Sequence, residues 1–193
     1  RWVSGEAARR RVHEARGQLS AIMVGVDTVL ADDPLLTCRI PGGRDPLRIV
    51  CDSRARTPLD SRLIQSAGEV PTIIAAAGWN ERAAALEKAG AQILLCGERD
   101  GRVDLRELMR KLGARGVDSI LLEGGPTLAF AALEAGIVRK VQAYIAPKLL
   151  GGSAARTPAG GQGLARMADA WRLTDLTAEP VGEDFLLEGY LPC

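Results

Sequence analysis

Three stretches of this sequence combine residue types that do chemistry. The first is Leu121-Leu122-Glu123-Gly124-Gly125-Pro126-Thr127-Leu128, where an apolar run ends in an acid, two glycines and a helix start. Paired glycines let backbone approach a ligand closely, and a helix N-terminus offers unpaired N–H groups and partial positive charge that suit a phosphate. Pro126 fits the opening of that helix, because its missing N–H would be unpaired anyway. The plainer reading of the same stretch is an ordinary β-α turn. The second stretch, Asp52-Ser53-Arg54-Ala55-Arg56-Thr57-Pro58, places two arginines and two hydroxyls directly after an apolar strand. Guanidinium forks match phosphate oxygens, so this loop could hold the 2′-phosphate of NADP, or it could be a solvated basic loop. The third is Asp32-Asp33-Pro34, either a helix stop or a carboxylate beside a reacting ligand, with Arg39 shortly beyond it. Glu123 stands where an apolar strand meets a glycine turn and is expected to be half buried, suited to orienting a substrate or to structural pairing. Arg9, His13 and Arg16 share a helix face. With no Ser or Cys partner in sight, His13 reads as an ordinary helix-surface residue, while Arg16 and Arg39 could together clamp a phosphate.

The chain that must position these groups has 193 residues, enough for one core of ordinary size, and no Pro- or Ser-rich linker divides it. A net charge of +1 from 25 basic and 24 acidic residues gives no global field, so neither nucleic acid nor a membrane is indicated as a partner. No apolar run approaches the roughly 20 residues of a membrane helix. Cys38, Cys51, Cys96 and Cys193 show no C-x-x-C spacing, which disfavours a zinc site or disulfide framework and reads as small buried hydrophobes in a reducing cytoplasm. The chain does not begin with Met and shows no signal peptide, consistent with an internal fragment.

Hydrophobic periodicity predicts alternation. Ser4 is placed to cap a helix over 6–18, followed by a buried strand at 21–25 and a short, partly helical connection to Pro34. Strands are expected at 48–51, 72–76, 92–96, 117–122 and 141–145, and helices at 80–89, capped by Asn80, and at 104–112, stopped by Gly113. A further helix should follow the glycine pair and end near Gly136. The Gly- and Ala-rich segment 151–163 should be a mobile loop. Strands over 171–178 and 185–190 flank Pro180-Val181-Gly182-Glu183 as an antiparallel hairpin. This order predicts an α/β fold with a mixed, mainly parallel sheet, helices on both faces and a C-terminal hairpin. In such a sheet the loops at the strands' carboxyl ends, here 25–33, 52–56, Gly78-Trp79 and 123–127, should converge on a ligand. The G-x-G-x-x-G fingerprint with its downstream acid is missing, which argues against a standard dinucleotide fold.

The run from Trp2 to Arg9, the block Thr28-Val29-Leu30-Ala31-Asp32-Asp33-Pro34-Leu35-Leu36-Thr37, Glu123-Gly124-Gly125-Pro126-Thr127 and Ala146-Pro147-Lys148-Leu149-Leu150-Gly151-Gly152 resemble the reductase half of the bacterial bifunctional riboflavin-synthesis protein. The resemblance spans nearly the whole chain. It implies a dihydrofolate-reductase-like fold and NADPH-dependent reduction of the ribose of 5-amino-6-(5-phosphoribosylamino)uracil to ribityl. By position it assigns Trp2, Thr28, Asp32, Ser53 and the turn Gly125, Pro126, Thr127, Leu128, Ala129, Phe130 and Ala131 to NADPH, with Arg54 added by the loop argument above. It assigns Arg16, Leu36, Arg39 and Glu123 to the phosphorylated substrate, and Asp32 is the candidate catalytic carboxylate. Family members open this domain with a strand, a Leu-Asp-Gly turn and a Ser that this sequence lacks, so a first strand is expected upstream of residue 1. The His-x-Glu and Pro-Cys-x-x-Cys signature of the deaminase half is likewise absent from these residues. A homodimer is expected from the apolar terminal hairpin and the Ala146-Pro147-Lys148-Leu149-Leu150-Gly151-Gly152 segment. A dihydrofolate or pterin reductase, and a nucleotide-binding domain without turnover, remain as alternatives.

Overall fold

The computed structural model describes residues 3–149, 151–152 and 157–192. Five strands, β1 (Ala21–Gly25), β2 (Leu47–Cys51), β3 (Thr72–Ala76), β4 (Gln92–Leu95) and β7 (Ile120–Leu122), form one sheet in the order β4-β3-β2-β1-β7. Every pairing in it is parallel, with Met23, for example, opposite Ile49 and Leu122. Both faces are covered, because β1 is apolar at every position and alternates its side chains across the sheet. Ile22 and Val24 join one core cluster, with Leu63 of α3 (Arg62–Gln65) and Leu86 of α4 (Glu81–Lys88). Ala21 and Met23 join the other, with Leu108 and Leu112 of α5 (Leu105–Gly113) and Ala132 of α6 (Pro126–Glu134). Leu108 and Leu112 are fully buried, and burying each such side chain contributes about 1.5–3 kcal/mol.

A second sheet holds β8 (Lys140–Ile145), β10 (Asp184–Tyr190) and β9 (Thr174–Val181), all antiparallel, and packs Tyr144, Val181 and Leu186 against Ala8 of α1 (Glu6–Gln18). Strands β9 and β10 are the expected hairpin, turned at Gly182 with φ +64. Pro180 is tolerated because β9 is an edge strand. Segment 141–145 is a strand as expected but belongs to this second sheet, which no hydrogen-bonded strand joins to the first among the described residues. A two-stranded hairpin, β5 (Glu98–Arg99) with β6 (Arg102–Val103), precedes α5. No helix among the described residues is long and apolar enough to cross a membrane.

Local expectations failed where distant groups intervened. Ser4 does not cap α1: the N-cap is Gly5, without a side-chain cap, and the Gly5 N–H donates to Asp184 Oδ2 at 2.7 Å from the far hairpin. Residues 117–119 are not strand. The Val117 N–H closes the end of α5 on Leu112 O, Gly116 rather than Gly113 takes the left-handed turn, and Ser119 Oγ accepts from the Ser20 N–H. The first hairpin strand begins at Thr174, three residues later than the predicted start. In the glycine-rich segment, Gly160 and Gly161 are packed, not free. A Cβ at Gly160 would stand 2.9 Å from Pro126 Cβ, and one at Gly161 would stand 2.7 Å from the Phe130 ring. Close approach to α6 explains those two glycines; Ser153 to Arg156 and Leu150 lie outside the described residues. Asn80 caps α4 as expected, accepting from the Ala83 N–H at 2.8 Å, and Asp104 caps α5 through the N–H groups of Arg106 and Glu107.

Candidate active site

A cavity of about 820 Å³ opens at the carboxyl ends of β7, β1 and β2. Its floor on the β7 side is the glycine turn. Gly124 and Gly125 have φ of +71 and +79, a region closed to most residues, so glycine is required for the chain to turn from β7 into α6. Gly125 is the α6 N-cap and offers no side-chain cap, and Pro126 is at N1, so the N–H groups of that first turn remain available to a ligand. Thr28 of α2 (Val26–Asp32) faces both glycines; a Cβ on either would meet its Oγ1 at 3.5 Å. Asp32, the last residue of α2, lines the cavity and is exposed. The adjacent Asp33 closes α2 in the left-handed region with φ +39, and its carboxylate accepts from the Arg62 N–H at 2.9 Å. Of the two neighbouring acids, therefore, one faces the cavity and one is structural.

The β2 side is a loop built for rigidity. Buried Asp52 accepts from both the N–H and Oγ1 of Thr57, at 2.7 and 2.8 Å, and the intervening turn places buried Ala55 at φ +54. Arg82 of α4 donates to the carbonyls of Ala55 and Arg56. Ser53, Arg54 and Arg56 line the cavity from this loop. The two arginines differ. Arg56 is paired with Asp27 at 2.9 Å, whereas no carboxylate of the described residues stands within ion-pairing distance of Arg54. Cys51 also lines the cavity, and burial, with Cys96 and Asp52 nearby, pushes its thiol up to about 12. It is a neutral wall group, not a nucleophile.

A second group of charges gathers around Glu123, which does not line the cavity. Arg16 donates to Glu123 through Nε–Oε1 at 2.7 Å and Nη2–Oε2 at 2.5 Å, and through Nη1 to Thr37 O at 3.1 Å. The pair is mostly shielded, with side chains 14% and 22% exposed. Its two-bond geometry fixes both planes. The Arg39 N–H donates to His13 Nδ1 at 3.3 Å. Burial first, then the charges of Arg16 and Arg39, lowers the His13 pKa. Leu36 is buried at φ +54, and the loop bearing it is anchored by Arg48, fully buried, whose guanidinium donates to the carbonyls of Leu35, Leu63, Ser66 and Val70.

Of the residues expected at the cofactor, Thr28, Asp32, Ser53, Arg54, Gly125, Pro126, Thr127, Leu128 and Ala131 line the cavity. Ala129 and Phe130 do not: Phe130 is buried, edge-on to Trp171 at 5.6 Å between ring centroids, because the α6 periodicity turns that face away from the cavity. Trp2 lies outside the described residues, as does Cys193. Of the four converging loops, Gly78-Trp79 is absent from the lining, and Trp79 is 53% exposed. Arg16 and Glu123 meet each other, with His13 and Arg39 beside them; none of these four, nor Leu36, lines the cavity itself. Sequence reasoning put His13 on one helix face with Arg16 but read it as an ordinary surface residue; its acceptance of the Arg39 N–H was not foreseen. That reasoning missed the β5–β6 hairpin, which contributes Gly101, Arg102 and Val103 to the lining. The Asp100-Gly101 dipeptide, a favoured hairpin turn, was the overlooked sign. Among the described residues no group of three or more His, Cys, Asp or Glu is placed to hold a metal ion.

Comparison with known proteins agrees with this architecture. A profile described as the RibD C-terminal domain matches residues 1–187. The riboflavin biosynthesis protein RibD of Actinobacillus pleuropneumoniae is 50% identical over 189 residues, covering 97% of this chain and 50% of that protein. A 2,5-diamino-6-ribosylamino-4(3H)-pyrimidinone 5′-phosphate reductase of Methanothermobacter thermautotrophicus is 44% identical over 191 residues, covering 96% of this chain and 86% of that protein. Among solved structures, Acinetobacter baumannii RibD superposes with a TM-score of 0.85 at 26% identity, over 100% of this chain and 52% of that one. The chain thus spans about half the length of these RibD relatives.

Proposed function

The chain belongs to the RibD C-terminal domain family, and from that premise we propose that it is a reductase of riboflavin biosynthesis. Its reaction is NADPH-dependent reduction of the ribosyl group of 5-amino-6-(5-phosphoribosylamino)uracil to ribityl. The observation that carries this reading is the cavity bounded by an uncapped helix start on one side and an unpaired arginine on the other. The fit to a phosphate-bearing dinucleotide rests on residues already described. The Gly124–Gly125 turn and the N–H groups opening α6 suit the pyrophosphate, and Ser53 and Arg54 suit the 2′-phosphate. Bound NADPH would supply a hydride to the opened anomeric carbon of the sugar. The protein's part is to position the reactants and set the charge around them. Asp32, on the cavity wall, would hold or relay a proton near the reacting carbon. The Arg16–Glu123 pair would orient the substrate, and Arg39 would meet its 5-phosphate, with Leu36 packing beside it.

We also assign the enzyme to the cytoplasm, as suits a pathway of small phosphorylated metabolites, and read it as a homodimer. Ile145 and Phe185 are register partners on one face of the second sheet and are 54% and 57% exposed, while Leu186 and Tyr144 on the opposite face pack on α1. An exposed apolar sheet face of this kind suits a second copy.

The test is NADPH oxidation by the purified protein with three substrates: the phosphorylated ribosylaminouracil, its diaminopyrimidinone counterpart and dihydrofolate. Turnover of a ribosylaminopyrimidine phosphate and not of dihydrofolate is expected. Turnover of dihydrofolate alone would establish the pterin reading, and turnover of none would leave a nucleotide-binding domain.

A further inference from the structure

The cavity has a wall that neither the loop argument nor the family resemblance supplied, the β5–β6 hairpin. Its turn residues Asp100 and Gly101 both have positive φ, +52 and +74, the conformation of a tight two-residue hairpin. The base of the hairpin is anchored from two directions. The Val103 N–H donates to Ser53 Oγ at 2.9 Å, joining the hairpin to the loop after β2. The Gly97 N–H donates to Glu107 Oε2 at 2.6 Å, and Glu107 is itself paired with Lys111 at 2.8 Å. Arg102 is therefore an exposed arginine on a fixed support, and it lines the same cavity as Arg54. No carboxylate of the described residues stands within ion-pairing distance of Arg102. Of three arginines on this side of the cavity, Arg56 is neutralised by Asp27 while Arg54 and Arg102 are not. Both guanidiniums line this one cavity with no carboxylate in ion-pairing distance, so a dianionic group reached by both would gain two charge-assisted contacts that the protein alone does not make.

The cavity runs from β7 across β1 to β2, with the helix N-terminus at the β7 end and these two arginines at the β2 end. Backbone N–H groups serve a pyrophosphate at the first end, which leaves the arginines for a second phosphate. We propose that Arg102 closes a two-sided clamp with Arg54 on the cofactor's 2′-phosphate, so that the β5–β6 hairpin is the element that selects NADPH over NADH. Ser53 links the two sides: its Oγ accepts the Val103 N–H and keeps its own O–H to donate to the phosphate. This inference rests on the NADPH reading given above.

The test compares dissociation constants for NADPH, NADH and 2′,5′-ADP in the wild type, Arg102→Ala, Arg54→Ala and the double variant, with Arg106→Ala as control. Arg106 is exposed, donates to Ala135 O and does not line this cavity. Arg102→Ala is expected to weaken NADPH and 2′,5′-ADP about tenfold and NADH less than about twofold, with the double variant losing most of the preference. Arg102→Lys should restore part of the loss, because it returns charge without the planar fork. An unchanged NADPH/NADH ratio in Arg102→Ala, whether from no loss or from equal loss for both cofactors, would overturn the clamp while leaving the NADPH reading standing. A wild type that binds neither dinucleotide would overturn the cofactor reading itself.

Discussion

The two halves of the proposed site differ in how far their polar groups are already bonded within the protein. On the cavity side the attractive groups are unspent: N–H groups at an uncapped helix start, and Arg54 without a carboxylate. On the Glu123 side they are largely committed, because both Glu123 oxygens are bonded to Arg16, Arg16 also to Thr37, and His13 to the Arg39 backbone. A ligand entering the first half gains bonds that the protein was not making. One entering the second must add to a network that is already satisfied, so it gains orientation more than attraction. The exception is the Arg39 side chain, exposed and without an ion-pair partner among the described residues. Selective affinity is thus expected on the cavity side and positioning on the other, a division that substitutions can break.

The largest effect is expected at Gly125. In the protein alone a Cβ there meets nothing closer than 3.5 Å, so Gly125→Val is opposed mainly by its backbone, whose φ of +79 and ψ of 95 lie outside the left-handed helical well, a cost of about 1–3 kcal/mol. A phosphate lying against that backbone has no such room. NADPH binding should fall beyond detection while circular dichroism shows the fold retained. Retained binding in a folded variant would return the turn to an ordinary β-α connection.

Glu123→Gln should be next. Removing one partner of a buried pair costs about 3–5 kcal/mol, and partial exposure reduces this to about 1–3 kcal/mol here. Denaturant unfolding should report that loss, and kcat/KM for the pyrimidine should drop about tenfold or more with NADPH affinity nearly unchanged. A drop in NADPH affinity as large as that in kcat/KM would erase the contrast between the two halves.

Arg39→Lys is expected to act mostly through binding. A planar guanidinium makes two parallel bonds to a phosphate that an ammonium cannot, so KM should rise about tenfold while kcat changes less. Steady-state kinetics with phosphorylated and dephosphorylated substrates check this. A variant that keeps the full preference for the phosphorylated substrate removes Arg39 from the phosphate site.

The smallest effect is a slope. Burial and the neighbouring cations hold His13 below its ordinary 6.5. The unfolded chain therefore binds a proton near pH 6.5 that the folded chain refuses until lower pH, and stability should fall as pH drops below about 6.5, levelling off beneath the folded pKa. His13→Gln should flatten that part of a Tm-against-pH curve. An identical slope in the variant would assign the titration elsewhere.

The sequence alone determined much of the fold, because β1 to β4 and the helices 6–18, 81–88 and 105–113 are written in local periods and caps such as Asn80 and Asp104. It also marked Gly124–Gly125, whose positive φ values only glycine adopts freely. The loops 25–33 and 52–56 were legible because a parallel sheet carries its loops to one edge, while Thr28, Asp32 and Ser53 within them were singled out for the cofactor by the family resemblance. What tertiary structure alone decided were the partners. Asp184 replaced Ser4 at the head of α1, Glu123 went to Arg16 across 107 residues, and Arg56 went to Asp27 while Arg54 was left free to bind. Composition and spacing treat the two arginines of one loop alike. Only the placement of Asp27 of α2 against the loop after β2 distinguishes them, because a charge's role depends on which opposite charge the fold brings within about 4 Å, and no local pattern encodes that distance.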